Sequence, residues 1–286
     1  MKNAIFPFAA VLTSCVALAA ARAPLPPGAV PPKPWLVINE DNDRYFKQAD
    51  LPGNVEKTTA EACERYVDTV LDGGKVTHFF MCVCGQRASY DSKAWEPIWK
   101  GLEGVERDGS PATNNAWCVN AKKMSDAGVD PYAIWTRRCR EKGVSPWISM
   151  RMNDIHFCSV SNYFRTESFW TEHPELHLRR PETKPGWNDH AFNYKYAKVR
   201  RHAFAMVDEI LDRWDADGIE LDWLRFEKHL TLGKEESLSH VLTDFMRGVR
   251  KRADTAAKRR GHPVRIAVRI PPVYALARHL GYDPET

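Results

Sequence analysis

Short apolar or alternating stretches recur along the chain, separated by longer segments in which apolar residues return every three or four positions. The first pattern is typical of strands and the second of amphipathic helices. The strands are predicted over residues 35–39, 76–83, 146–154 and 264–270, with a further strand beginning at Gly218. Because strands and helices alternate, we expect an α/β fold built on a buried parallel sheet.

The helices are delimited by recognisable start and stop signals. Asp130 followed by Pro131 is a typical N-cap and first helical residue, and Gly143 is a typical stop. Further helices are predicted over residues 59–71, 196–214 and 237–258, with a short one near Asn120 and another beginning at Tyr274.

The segment from Asp215 to Phe226 divides its side chains sharply by face. Ile219, Leu221 and Trp223 share one side of the predicted strand, whereas Glu220 and Asp222 share the other. Two carboxylates on one side of a buried strand require either an internal ion pair or acid-base chemistry. Barrel enzymes place such chemistry at the carboxyl ends of their strands.

Arginines occupy inward positions on the neighbouring strands. Arg151 alternates with apolar residues on the third strand, and Arg269 does so on the fifth. A buried guanidinium is costly unless a carboxylate meets it. We therefore expect Glu220 and Asp222 to neutralise both arginines.

Two motifs resemble a known family. The Arg-Met-Asn-Asp element at residues 151–154 and the Asp-Gly-Ile-Glu-Leu-Asp element at residues 217–222 are similar to those of glycoside-hydrolase-like family 10 proteins. The resemblance covers nearly the whole chain from residue 35 onward. It implies a (β/α)8 TIM-barrel that acts on glycosidic bonds, with Asp222 as a catalytic or substrate-binding carboxylate after strand four and Arg225 beside it.

Glycoside hydrolysis usually uses two carboxyl groups. Asp222 is the first candidate, and an ion pair with an arginine is its structural alternative. Asp154 and Asp41 are candidates for the second carboxyl group, although both residues also suit loop capping. The predicted catalytic pair is Asp222 and Asp154.

Substrate binding is predicted for residues around this pair: Arg151, Asn153, Glu220, Trp223, Arg225 and Arg269. Aromatic rings stack on sugars, although most aromatic residues simply pack in the core. The candidates for stacking are Tyr163, Trp170, Trp187 and Trp223.

Histidines are frequent, but their spacing fits none of the common metal-binding motifs. They are His156, His173, His177, His190 and His202. We therefore predict no metal and no cofactor. Two alternatives to a glycosidase stay open: a glycan-binding barrel without catalysis and, less favoured, a metal-dependent hydrolase.

The N-terminal residues have the layout of an export signal. Residues 1–21 combine Lys2, an apolar run and a small-residue cleavage site, and residues 22–34 form a proline-rich tether. Leu12 to Cys15 also matches a lipoprotein motif, which is the less favoured alternative. We expect a periplasmic or secreted protein whose domain covers residues 35–286, with disulfide pairing of the six later cysteines left open.

Charge and length narrow the remaining classes. A net charge of +4 over 286 residues is too small and too dispersed to predict nucleic-acid binding, and after the signal no apolar run is long enough to span a bilayer. The expected partner is a poly- or oligosaccharide. Five predicted strands are fewer than the eight of a closed barrel, so we expect an incomplete (β/α)8 barrel whose C-terminal strands are missing.

Overall fold

The computed structural model of the chain describes residues 23–47, 56, 58–178 and 186–285. The strands are β1 (Val37–Glu40), β2 (His78–Cys82), β3 (Ser145–Arg151), β4 (Gly218–Asp222) and β5 (Arg265–Arg269). The helices are α1 (Arg44–Lys47), α2 (Ala60–Val70), α3 (Ala116–Asp126), α4 (Pro131–Glu141), α5 (Ser168–Glu172), α6 (Ala197–Arg213), α7 (Ser239–Arg260) and α8 (Tyr274–His279).

The five strands form one parallel sheet in the order in which they occur along the chain, from β1 to β5. Sequential order and parallel pairing, with helices in the connections, are the arrangement of a (β/α)8 barrel. The predicted fold class, an incomplete barrel of about five βα units, is therefore confirmed.

The sheet is curled rather than flat. Asn39 of β1 donates a hydrogen bond of 2.7 Å from Nδ2 to Oε2 of Glu220 on β4, although β2 and β3 lie between these strands. Three strand spacings would separate the two strands by about 14 Å in a flat sheet. The contact requires the concave curvature of a barrel wall, and it places Glu220 on the inner side.

The predicted helix boundaries agree closely with the structure where capping signals are present. Thr59 and Asp130 each accept a backbone hydrogen bond as the N-caps of α2 and α4. α7 begins and ends two residues later than expected. Gly261 adopts a left-handed conformation with φ of 75° and ends α7, a role that glycine fills without steric cost.

The main apolar core lies between the outer face of the sheet and the helices. Ile148, Ile219 and Leu221 are fully buried on this side, where they belong to one cluster with Val207 and Phe245 of α6 and α7. The outward phase predicted for the apolar residues of β4 is therefore confirmed. The edge strands are less covered, with Val37 and Val268 exposed by 47% and 46%.

The proline-rich segment contacts the N-terminal ends of the strands, in contrast to the tether predicted from its composition. Gly28 donates its N–H to Asp217 Oδ1 at 2.9 Å, and its carbonyl accepts a hydrogen bond of 2.7 Å from Arg265. Leu25 N donates to the Arg140 carbonyl at 2.8 Å. Proline restricts the backbone without preventing such main-chain bonds at other residues.

Several predictions concern residues outside this part of the chain. The signal at 1–21 and the lipoprotein cysteine, Cys15, lie outside the described residues.

Six described cysteines are buried and form no disulfide: Cys63, Cys82, Cys84, Cys118, Cys139 and Cys158. Within the described ranges, no helix combines the length and apolarity needed to cross a bilayer.

Candidate functional site

A carboxylate-arginine cluster lies at the carboxyl ends of β4 and β5. Asp222 is directly opposite Arg269 in the strand register, and their side chains approach to 3.1 Å. The other guanidinium nitrogen of Arg269 contacts Glu220 Oε1 at 3.0 Å. The prediction that Glu220 and Asp222 neutralise Arg269 is confirmed.

Glu220 is held from several directions inside the sheet. Ser149, its register partner on β3, donates a hydrogen bond of 2.5 Å to Oε2, and Asn39 donates to the same oxygen. Arg269 also donates to both oxygens of Glu220, so each carboxylate oxygen accepts at least one hydrogen bond from the protein. We interpret Glu220 as a residue that fixes Arg269 and the inner wall rather than as a group that contacts substrate.

Asp222 occupies the next inward position toward the carboxyl end of β4. Oδ1 accepts hydrogen bonds of 3.1 Å from the backbone N–H groups of both Leu224 and Arg225, while Oδ2 faces Arg269. Three donors therefore converge on one carboxylate and hold it in a fixed orientation. A carboxylate held in this way suits stabilisation of positive charge or nucleophilic attack.

Arg151 pairs with different carboxylates from those predicted. Its guanidinium donates to Asp154 Oδ2 at 2.7 Å and also to Asp41, which follows β1. The predicted pairing of Arg151 with Glu220 and Asp222 is wrong. β5 brings Arg269 to those two carboxylates, and the curl of the sheet brings the loop after β1 to Arg151.

Asp154 is enclosed by cations. Burial alone would raise the pKa of its carboxyl group, but the charges of Arg165 and Arg151 and a hydrogen bond from His156 hold the pKa well below its ordinary value. A Cβ at Gly85 would lie 3.0 Å from Oδ2, so glycine allows the β2 loop to close over this carboxylate. Asp154 therefore lacks the proton that a general acid must supply at neutral pH.

His156 extends the Asp154 cluster toward solvent. Nδ1 of the imidazole lies 2.7 Å from Asp154 Oδ1, which also accepts the backbone N–H of His156 at 3.0 Å. On the other side of the ring, Nε2 lies 3.4 Å from Nη2 of Arg225. The imidazole thus connects a buried carboxylate after β3 to an exposed arginine after β4.

Aromatic rings surround the exposed side of this histidine. Phe226 meets the His156 ring edge-on at a centroid distance of 4.9 Å, and Trp187 lies 5.9 Å from Phe226. Trp187 is 48% exposed and also contacts Phe157. Of the four aromatic candidates, Trp187 has the open ring face that sugar stacking requires.

The structure assigns other roles to two of the predicted substrate-binding residues. Asn153 is buried and exchanges hydrogen bonds of 2.9 and 3.0 Å with the backbone of Phe192, so its amide joins two loops. Trp223 is buried among Tyr194, His229 and Phe245. Its outward phase, shared with the apolar residues of β4, directs the indole into the core instead of toward the inner face of the sheet.

Tyr163 and Trp170 are also poor candidates for stacking. Tyr163 is buried against Phe164, and Trp170 stacks on His177 with 4.4 Å between ring centroids. Among the residues that the structure describes, no group of three or more His, Cys, Asp or Glu side chains is arranged to hold a metal ion.

Comparisons with known proteins add solved structures but no sequence family. No protein-family model matches the chain, and no curated protein matches it. The resemblance to glycoside-hydrolase-like family 10 therefore stays a prediction.

Similar solved structures include three carbohydrate-active proteins. The catalytic module of the glycogen-degrading pneumococcal virulence factor SpuA has a TM-score of 0.47 and 11% identity, with 93% of this chain and 35% of that chain covered. A mutant β-hexosaminidase of Streptomyces plicatus with its product GlcNAc has a TM-score of 0.46 and 13% identity, with 89% of this chain and 41% of that chain covered. The maltogenic α-amylase AmyB of Thermotoga neapolitana has a TM-score of 0.44 and 11% identity, with 87% of this chain and 48% of that chain covered. The chain spans less than half the length of each.

His156 is the main site residue that the sequence patterns did not assign to chemistry. The histidine spacing matches no common metal-binding motif and by itself indicates no other role for His156. The Asp-x-His spacing at residues 154–156 could have indicated a local carboxylate-imidazole pair. The contact with Arg225, which is 69 positions away, follows from the adjacency of β3 and β4.

Proposed function

We propose that this protein hydrolyses O-glycosidic bonds, with Asp222 as the carboxylate that faces the anomeric carbon. The observation that carries the proposal is the position of Asp222 at the carboxyl end of β4, held by Arg269 and two backbone N–H groups. Glycoside hydrolysis develops positive charge on the sugar ring in the transition state. An ionised carboxylate held in a fixed orientation stabilises that charge or attacks the anomeric carbon.

The surroundings of Asp222 supply the other features of a sugar site. Trp187 offers an exposed ring face, and Arg225 is an exposed donor on the loop that Asp222 caps. The motifs at residues 151–154 and 217–222 support the same reaction class through the resemblance described above. The proposed substrate is a poly- or oligosaccharide.

Asp222→Asn provides the direct test because it keeps the shape of the side chain while removing its charge. We expect the wild-type protein to release sugar from at least one member of a panel of polysaccharides and 4-nitrophenyl glycosides of both anomers. Asp222→Asn should reduce kcat/KM by about 100- to 1,000-fold on that substrate, a loss typical of removing an electrostatic stabiliser of the transition state.

Asp215→Asn is the matched control, because Asp215 precedes the opposite end of β4 and its side chain is 52% exposed. Its activity should equal that of the wild type. Undiminished turnover by folded Asp222→Asn would remove this carboxylate from the mechanism.

A glycan-binding role without cleavage is the second candidate function. It is favoured by the enclosure of Asp154, which leaves the predicted carboxylate pair without its proton donor. Calorimetric titration with the same glycans distinguishes the two roles. Saturable binding that depends on Trp187, with no product formed after prolonged incubation, would favour the binding role over hydrolysis.

We also propose that the protein is exported and that residues 1–21 are removed. The support is the charged, apolar and small-residue order of that segment. N-terminal sequencing of the protein recovered from the periplasm or medium should begin after residue 21. An intact N-terminus on protein that stays in the cytoplasm would contradict export.

A further inference from the structure

We propose that His156 is the catalytic base of this site and that Asp154 is its positioning residue. The inference rests on the proposed glycoside hydrolysis and adds a group that accepts the proton of the attacking water. Its starting point is the short contact of 2.7 Å between His156 Nδ1 and Asp154 Oδ1.

The partners of the imidazole define which nitrogen carries the proton. Asp154 is an ionised acceptor, so the nitrogen facing it, Nδ1, is the donor. Arg225 has donors alone, so Nε2, which it faces at 3.4 Å, is the acceptor. The lone pair of Nε2 is therefore directed away from Asp154 and toward the exposed Arg225, and a water molecule that replaces this long contact would reach it, as a general base requires.

Charged groups lie on both sides of the imidazole ring. Asp154 faces Nδ1, but its negative charge is shared with Arg151 and Arg165, and Arg225 lies beside Nε2. Phe226 and Phe157 supply the uncharged neighbours. Asp154 is placed to stabilise the cation that forms briefly during proton transfer, and Arg225 lies beside the nitrogen that accepts the proton.

Two further observations indicate that the position is built for a ligand. His156 is 21% exposed, although the carboxylate behind it is 2% exposed, so the imidazole reaches solvent from a buried anchor. The next residue, Phe157, has a positive φ of 54°, an unfavourable conformation for a bulky residue. Strain of this kind is concentrated at functional sites, where the surrounding structure maintains it.

The proposed step consumes one water molecule. The water oxygen bonds to the anomeric carbon while one of its protons passes to Nε2 of His156. The bond from the anomeric carbon to the leaving oxygen breaks, and its electron pair goes to that oxygen, which takes a proton from solvent. Asp222 stabilises the positive charge on the sugar during this exchange, and the imidazolium then returns its proton to solvent.

Restoration of activity by azide distinguishes a catalytic base from a residue that merely supports the fold. Azide attacks the anomeric carbon without losing a proton, so it bypasses the need for a base. The probes are the 4-nitrophenyl glycosides, whose leaving group departs without protonation. We expect His156→Ala and His156→Gln to lower kcat by about 100- to 10,000-fold, the usual contribution of acid-base catalysis. Added sodium azide should restore nitrophenol release from His156→Ala and yield a glycosyl azide.

His173→Gln is the matched control, because His173 also contacts a carboxylate, Glu175, at 3.1 Å but lies away from the cluster described above. Its kcat should equal that of the wild type. Circular dichroism and urea unfolding of each variant establish that the folded protein is compared.

Asp154→Asn tests the positioning role. We expect kcat to fall with little change in KM, and azide to restore the rate of the folded fraction. A loss that azide leaves unchanged would assign Asp154 to structure alone.

The outcomes distinguish this inference from the function on which it rests. Turnover by His156→Ala within two-fold of an active wild-type protein would overturn the role of His156 and leave glycoside hydrolysis intact. Failure of the wild-type protein to cleave any glycoside in the panel would overturn hydrolysis and the catalytic role of His156 together. Loss in His156→Ala that azide reverses supports both.

Discussion

The two ends of the sheet each contain a buried aspartate surrounded by donors, but the two sites differ in what closes them. Before β4, Asp217 accepts hydrogen bonds from Arg140 at 2.7 Å, Ser145 at 2.6 Å and the Gly28 backbone at 2.9 Å. After β3, Asp154 is contacted by arginines and His156. The contacts of Asp217 include a backbone N–H, that of Gly28, whereas Asp154 contacts a histidine whose imidazole reaches solvent.

This difference shows that a buried carboxylate-arginine pair does not by itself indicate catalysis. Both pairs satisfy the same electrostatic requirement, since an unpaired buried charge is costly. The proposed site also has a partner that reaches water, His156, and it lies at the end of the sheet that barrel enzymes use for catalysis.

The largest expected effect on stability comes from removing Asp217, the buried carboxylate before β4. Asp217→Ala should lower the free energy of unfolding by about 3 to 5 kcal/mol, because it leaves the Arg140 guanidinium and the Gly28 N–H without their buried acceptor. Urea denaturation at pH 7 measures the change. Asp215→Ala, which removes a carboxylate whose side chain is 52% exposed, should cost less than about 1 kcal/mol. Equal losses in the two variants would contradict the distinction.

The next largest effect on stability comes from removing Glu220, on the inner face of β4. Glu220→Ala should lower the free energy of unfolding by about 3 kcal/mol, the lower end of the range for a broken buried pair. The loss is smaller because Arg269 is 34% exposed and water partly replaces its partner. Glu220→Gln keeps acceptors for Ser149 and Asn39 and should be less destabilising. An unchanged free energy of unfolding in Glu220→Ala would show that the inner face of the sheet does not depend on this carboxylate.

The smallest expected effect depends on pH. The pKa of Asp154 lies below its ordinary value of 3.8 in the folded protein, so the ionised group contributes stability above pH 3.8, and this contribution is lost as the pH falls toward the folded-state pKa. Asp154→Asn should cost about 2 kcal/mol at pH 7, the scale of hydrogen bonds to a charged group. Urea unfolding should show the difference from wild type shrinking below pH 3.8; a constant difference would contradict it.

Local signals were enough for the elements and for some of the site. The N-cap at Asp130 determined one helix start, and the alternation along β4 placed Glu220 and Asp222 together on the inner face. Trp223 shows that strand phase is a better guide than aromatic character. Its outward phase is visible in the sequence and agrees with its burial in the core, whereas its aromatic ring alone predicts a sugar contact.

The sequence by itself determined the parallel α/β fold, the inward phase of the charged residues and the pairing of Arg269 with β4, because strand periodicity and the need to neutralise buried charge act through near neighbours. The tertiary structure alone decided that Arg151 meets Asp41 and Asp154, that Gly28 closes Asp217, and that Arg225 reaches His156. Such contacts depend on the curl of the sheet and the paths of its loops. These features bring distant residues together without leaving a periodic signal in the sequence.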